Sequence, residues 1–226
     1  MNKEIKNFST MEDKKIIKNM KKITGKVSDA RPILQHIYYN DNYIVATDSH
    51  RLLQINKKHN KTNVLYNAKT GENGESFQQY PETSRTIPES ENANNKIIIN
   101  HDEIDLLIAI LKAYKGIKLD RLTLTIDKDQ AYYLMNYSDF NCNDNEILEH
   151  LNLNYKLKNI NLSDKPVHKI TFNISYLLNV FEYLKDDVKT QDLTNNYYIY
   201  LTKSNFPINI TDQANSFNYV ICPIRP

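Results

Sequence analysis

The segment ATDSHRL sets Asp48, Ser49 and His50 in direct succession. A carboxylate and an imidazole two residues apart at a strand end can supply two metal ligands or an acid/base couple. A metal-dependent hydrolase built on Asp48 and His50 would need further ligands, and no other His/Asp/Glu motif in the chain completes a metal-site signature. Ser49 lacks the GxSxG context that exposes a nucleophilic serine. The chain is therefore expected to be no enzyme, to hold no metal and to need no cofactor. Its two cysteines, Cys142 and Cys222, form no CxxC pair, which rules out a zinc cluster or a disulfide scaffold. A reducing, cytoplasmic setting is the expectation.

Charge offers a second kind of chemistry. Lys14, Lys15, Lys18, Lys21 and Lys22, with Lys26 just beyond, fall opposite Ile16, Ile17, Met20 and Ile23 at helical spacing. A helix face of one sign is either simply solvated or contacts phosphates without reading bases, giving salt-sensitive attraction to duplex DNA. Two later helical segments are acidic instead, through Asp102, Glu103 and Asp105 in one and Glu182, Asp186 and Asp187 in the other. The ending VICPIRP is an apolar strand with Pro223 and Arg225, suited to a core position or to a peptide partner at a sheet edge.

Elements must position these residues. With 226 residues, 40% of them hydrophobic and 25% charged, the chain reads as a folded protein of one or two domains. A formal charge of +2 means that any nucleic-acid role must come from local placement of charge. The N-terminus has no apolar signal region, and no stretch approaches the roughly 20 apolar residues of a membrane span, so neither classical export nor membrane insertion is expected. Thr10 with Asp13 predicts a capped helix that Gly25 closes. Residues 31–58 predict a meander of short strands with a turn at residues 40–42. The polar stretch from Lys57 to about Lys96 predicts a hairpin or loop and then a connector. Next comes the strand KIIIN, and a helix capped by Asn100 and Glu103 and closed by Gly116. Further strands follow at RLTLTID, QAYYLMNY and LNLNYKL. The strand KITFN then leads to a helix bearing Leu177, Leu178, Phe181 and Leu184, and to three last strands. Strand, helix and several strands thus recur near EIKNF, KIIIN and KITFN, an internal repeat.

Four blocks then resemble one family, the bacterial sliding clamp, the beta subunit of DNA polymerase III. VATDSHRL, preceded by RPILQHIYY, is similar to that family's VATDGHRLA signature. FNISYLLNVFEYLK is similar to a helix opening of the family, and YVICPIRP resembles its terminus. QYPETSRTIP resembles the connector between the family's middle and last domains, and all four blocks stand in the family's order.

The resemblance implies an α+β fold of DNA-clamp βαβββ repeats, with helices on one face and antiparallel sheets on the other. It implies two units: residues 1–88, a truncated middle-domain-like unit with its polar connector, and residues 89–226, a last-domain-like unit. The family's first domain has no counterpart. The family's pocket for short linear motifs of polymerases, clamp loader and repair proteins maps here to Thr47, Ser49, His50, Arg51 and Leu52. At the terminus it maps to Val220, Cys222, Pro223, Ile224 and Arg225, with Leu52, Val220, Pro223 and Ile224 as apolar acceptors and Arg51, Arg225 and the Ser49 backbone as polar ones. Ser49 stands where the family has Gly, Cys222 where it usually has Met, and Pro226 where it usually has Leu. The function implied is a replication processivity factor, a homo-oligomer (a cyclic trimer is a natural guess) that encircles duplex DNA without sequence preference, its lysine helix lining the hole. The alternative is a clamp-like adaptor or decoy, encoded by a phage or other mobile element, that binds clamp-binding motifs without encircling DNA.

Overall fold

In a computed structural model the chain is described over residues 8–74, 79–127, 130–135, 155–157, 159–163, 167–188 and 196–224. Residues 4–7 of the strand expected near EIKNF and the whole segment 136–154 lie outside these residues. The first helix, α1 (Asp13–Thr24), buries Ile16, Met20 and Ile23, as their spacing predicts. Its start differs from the expectation. Glu12, not Thr10, is the N-cap, and no side chain caps the helix. The entry is fixed by burial of Met11, whose N–H donates to Ser9 Oγ at 3.2 Å. Gly25 ends α1 in a right-handed conformation, and it is glycine for want of space, because a Cβ there would sit 2.8 Å from the Lys21 carbonyl oxygen.

The expected meander follows as β1 (Ile37–Tyr39), β2 (Tyr43–Thr47) and β3 (Arg51–Asn56). The polar stretch supplies the hairpin β4 (Val64–Tyr66) and β5 (Asn73–Gly74), with β4 paired to β1. Next come β6 (Asn95–Ile99), α2 (His101–Gly116), β7 (Arg121–Asp127), β8 (Gln130–Met135), β9 (Tyr155–Leu157) and β10 (Asn159–Leu162). The last group is β11 (Lys169–Asn173), α3 (Ile174–Val188), β12 (Tyr197–Leu201), β13 (Ile208–Asp212) and β14 (Phe217–Ile221). The capping box of Asn100 and Glu103 is present at the start of α2. Gly116 stays inside that helix, and Lys118, at φ +63°, takes the left-handed position instead.

Each repeat lends its first strand to the other's sheet, β6 pairing with β12 and β11 with β7. Pairing of β14 with β3 then joins the C-terminal strands to β1–β5 in one sheet of order β10-β6-β12-β13-β14-β3-β2-β1-β4-β5. A second sheet runs β11-β7-β8-β9. Neighbouring strands run antiparallel throughout the described residues, so alternate side chains face the helices. Ile97, Ile99, Ile199, Leu53, Ile55 and Ile44 share that face and build one core with α1, α2 and α3. A second, smaller apolar cluster lies elsewhere, made by Leu34, Val45, Leu52, Leu65, Tyr80 and Val220. It explains why all six residues of β3 are buried, since this strand is covered on both faces. Among the described residues no helix is long and apolar enough to cross a membrane.

Between α1 and α3 the Lys18 ammonium lies 2.8 Å from the Asp186 carboxylate, and Asn19 Nδ2 donates to the same oxygen at 2.9 Å. Burial alone would raise the Asp186 carboxyl, but these hydrogen bonds and the Lys18 and Lys22 charges outweigh it and hold the group below its ordinary value. A depressed folded value stabilises above the unfolded carboxylate pKa, and that contribution fades as pH falls through the folded one. The urea midpoint should therefore drop as pH falls below about 4. Asp186→Asn should flatten that part of the profile; an unchanged slope would remove Asp186 from the explanation.

Candidate functional site

The seam between β14 and β3 opens into a cleft of about 620 Å³, on the side of the sheet that carries the smaller apolar cluster. Thr47, Leu52 and Val220 form its sheet wall, and Ser49 and His50 stand at the turn between β2 and β3. The opposite wall is the connector, residues 81–88, and Phe206 and Pro207 close one end. Tyr80 pins the connector down. Its buried ring stacks on Tyr38 at 5.0 Å between centroids, and its hydroxyl oxygen accepts the Thr47 N–H at 3.2 Å. A mostly apolar surface edged by His50, Glu82 and Arg85 suits a short peptide better than a small polar substrate.

The Asp48 carboxylate is fully engaged in holding the turn. One oxygen accepts the N–H groups of His50 and Arg51, each at 3.0 Å, and the other accepts Arg51 Nε at 2.9 Å. That is the work of a turn organiser, with the exposed His50 ring left at the rim. Among the described residues no group of three or more His, Cys, Asp or Glu could hold a metal ion. Ser49 sits at φ +75°, the left-handed conformation that favours the glycine of the resembling signature. Ser49→Gly relieves roughly 1–2 kcal/mol of that strain. Against this stand the flexibility of glycine, roughly 0.5–1 kcal/mol, and the exposed Arg31–Ser49 hydrogen bond of 2.8 Å. The variant should be equal to or up to about 1 kcal/mol more stable than the parent in urea unfolding. A clear loss would contradict the assignment of strain.

Of the positions that the resemblance implies, Thr47, Ser49, His50, Leu52, Val220 and Cys222 line the cleft together, and the others differ in placement. Arg51 borders it, yet its side chain turns the other way, because neighbours on a strand face opposite sides. At 2% exposure, its guanidinium donates to the Lys22 carbonyl oxygen at 2.6 Å and lies 4.4 Å from the Tyr176 ring centre. The guanidinium thus makes internal contacts, where the resemblance implies that it holds polar groups of a peptide. Pro223 and Ile224 do not line the cleft; the Ile224 N–H donates to Thr171 O at 2.8 Å, which draws the tail toward β11. Arg225 lies outside the described residues. The sequence reading missed Leu34, Thr83, Ile87, Phe206 and Pro207. The connector block was legible, but its use as a wall was not.

The lysine helix is also divided by packing. Lys14, Lys18, Lys21 and Lys26 are exposed, and Lys15 and Lys22 half-buried. Lys18 pairs with Asp186, and Lys22 pairs with Glu182 at 2.8 Å. Glu182 also lies 4.0 Å from Lys112, and Lys185 lies 2.6 Å from Asp105. Acids of α2 and α3 thus neutralise part of the helix layer. Among the described residues Lys14, Lys15, Lys21 and Lys26 of this segment have no carboxylate partner.

No protein-family model matches the chain, and no curated protein matches it in sequence. Solved structures do match. The Caulobacter crescentus beta sliding clamp superposes with a TM-score of 0.67 at 16% identity, over 94% of this chain and 64% of that one. The Streptococcus pneumoniae DNA polymerase III beta chain gives 0.67 at 16% identity, over 100% and 67%. The Bartonella birtlesii sliding clamp, solved with griselimycin bound, gives 0.63 at 19% identity, over 94% and 64%. The fold is that of the bacterial sliding clamps, and the chain spans about two thirds of their length.

Proposed function

We propose that this chain is a sliding-clamp homologue, a non-enzymatic processivity factor that encircles duplex DNA as an oligomer and tethers a polymerase or other replication proteins through the cleft. The observation that carries the reading is the cleft itself, set on a clamp fold where β14 meets β3 and built entirely from one chain. Leu52, Val220, Ile87 and Phe206 offer apolar acceptors for the anchor residues of a linear motif, the kind of contact that dominates small interfaces. The unpaired lysines of α1 supply diffuse phosphate contact, which holds a duplex without fixing a register.

Solution mass with retention on DNA tests this reading. An oligomer retained on nicked circular DNA and released when the circle is cut is the expected result. A monomer at every concentration, with no topological retention, would overturn encirclement. The second reading, an adaptor or decoy that binds clamp-binding motifs without encircling DNA, is favoured by the loss of Lys18 and Lys22 to ion pairs. It predicts peptide capture without retention.

A further inference from the structure

Loop 57–61, Lys-Lys-His-Asn-Lys, lies beside α1 and is tied to its entry. Lys57 Nζ donates to the Met11 carbonyl oxygen and lies 3.4 Å from Asp13, while the Lys58 ammonium lies 5.1 Å from the Phe8 ring centre. At the far end, Lys61 Nζ rests 4.3 Å from the Tyr39 ring centre and 5.4 Å from that of Tyr66. These two tyrosines belong to the helix-side core, so the loop covers β1 and β4 on the side that α1 occupies. His59 fixes the middle, its ring edge-on to Tyr39, its Nδ1 accepting the Lys61 N–H at 3.3 Å and its Nε2 facing Tyr43 O at 3.4 Å.

The packing holds the loop but leaves most of its charge unneutralised. Among the described residues only Lys57 of the loop pairs with a carboxylate, and that carboxylate, Asp13, directly precedes Lys14 and Lys15. Among the described residues Glu12 is the other acid at this entry. A lysine whose ammonium is already held over two aromatic rings, as that of Lys61 is, loses less rotamer freedom when it meets a phosphate. We infer that loop 57–61 is a second duplex-contacting element, in which Lys58 and Lys61 grip the DNA backbone alongside Lys14 and Lys15. The inference rests on the reading that duplex DNA is the partner.

Affinity for a 30-base-pair duplex, measured by fluorescence anisotropy across salt concentrations, tests it. Removing one lysine–phosphate interaction lowers the slope of log K against log salt by about 0.9. Lys58→Gln should lower the slope by about that amount and weaken binding several-fold for any sequence, and Lys58→Arg should restore both. Lys61→Arg keeps the charge and should bind as the parent does, which guards against a variant that merely misfolds. The inference is overturned if the folded Lys58→Gln protein keeps the parental slope while Lys14→Gln/Lys15→Gln loses it, or if the parent binds no duplex at low salt. It is equally overturned if Lys58→Gln weakens binding only to phosphatidylserine vesicles. A loop-dependent slope without retention on circular DNA would sink encirclement and leave the loop's role standing.

Discussion

Arg51→Ala is expected to lower the unfolding free energy by about 3–5 kcal/mol, the usual cost of stripping one partner from a buried ion pair. Asp48, whose side chain is 7% exposed, would be left without the guanidinium now 2.9 Å away. The carbonyl of Lys22 in the last turn of α1 would lose its donor, and Tyr176 its stacked cation. Because β3 belongs to the first part of the chain and Tyr176 to α3, the substitution also loosens the junction of the two parts. Urea unfolding measures the loss, and a cycle with Asp48→Asn isolates the pair, since the amide oxygen can still accept the backbone N–H groups. A loss below about 1 kcal/mol would mean that solvent or a neighbour replaces the guanidinium, contrary to its burial. The site residue the resemblance suggested as a ligand contact should thus behave as a structural one, with any effect on peptide binding following stability.

Leu52→Ala and Phe206→Ala should both weaken capture of a clamp-binding motif peptide by tenfold or more, which is about 1.4 kcal/mol, yet differ sharply in stability. Leu52 is 3% exposed and packs in the smaller apolar cluster, so its truncation should also cost about 2–5 kcal/mol of folding free energy. Phe206 is 46% exposed at the end of the cleft, and its removal should change stability by less than about 0.5 kcal/mol. Isothermal titration with the peptide, beside a melt of each variant, separates the two effects. If Phe206→Ala binds as tightly as the parent, the cleft does not use that end. If both variants do, the cleft is not the peptide site.

Much of the architecture was legible in the chain. The 3.6-residue spacing of Ile16, Met20 and Ile23 and the Asn100–Glu103 box each specify a helix by local chemistry alone. Alternation in KITFN likewise marks a strand whose inner residues are buried, whereas KIIIN reads as a strand from its β-branched run and alternates only in burial. Helix ends were less legible. Thr10 and Gly116 carry the right residue types, but Met11 burial and the left-handed Lys118 decide where the chain turns, and these depend on packing against distant strands.

The sequence by itself determined the helices and strands and their repeated order, because periodicity and capping are local properties, and the layers and the grouping of Thr47, Leu52, Val220 and Cys222 were legible only through the family resemblance, since they depend on the β14–β3 pairing. Tertiary structure alone decided three things. It turned Arg51 inward, since strand parity acts only once β3 is paired on both edges. It used the connector and Phe206 as walls, which needs the β14–β3 seam to bring residues far apart in sequence together. It also neutralised Lys18 and Lys22 against α3, because an ion pair depends on distance in space, and residues 18 and 186 become neighbours only when the two helices pack.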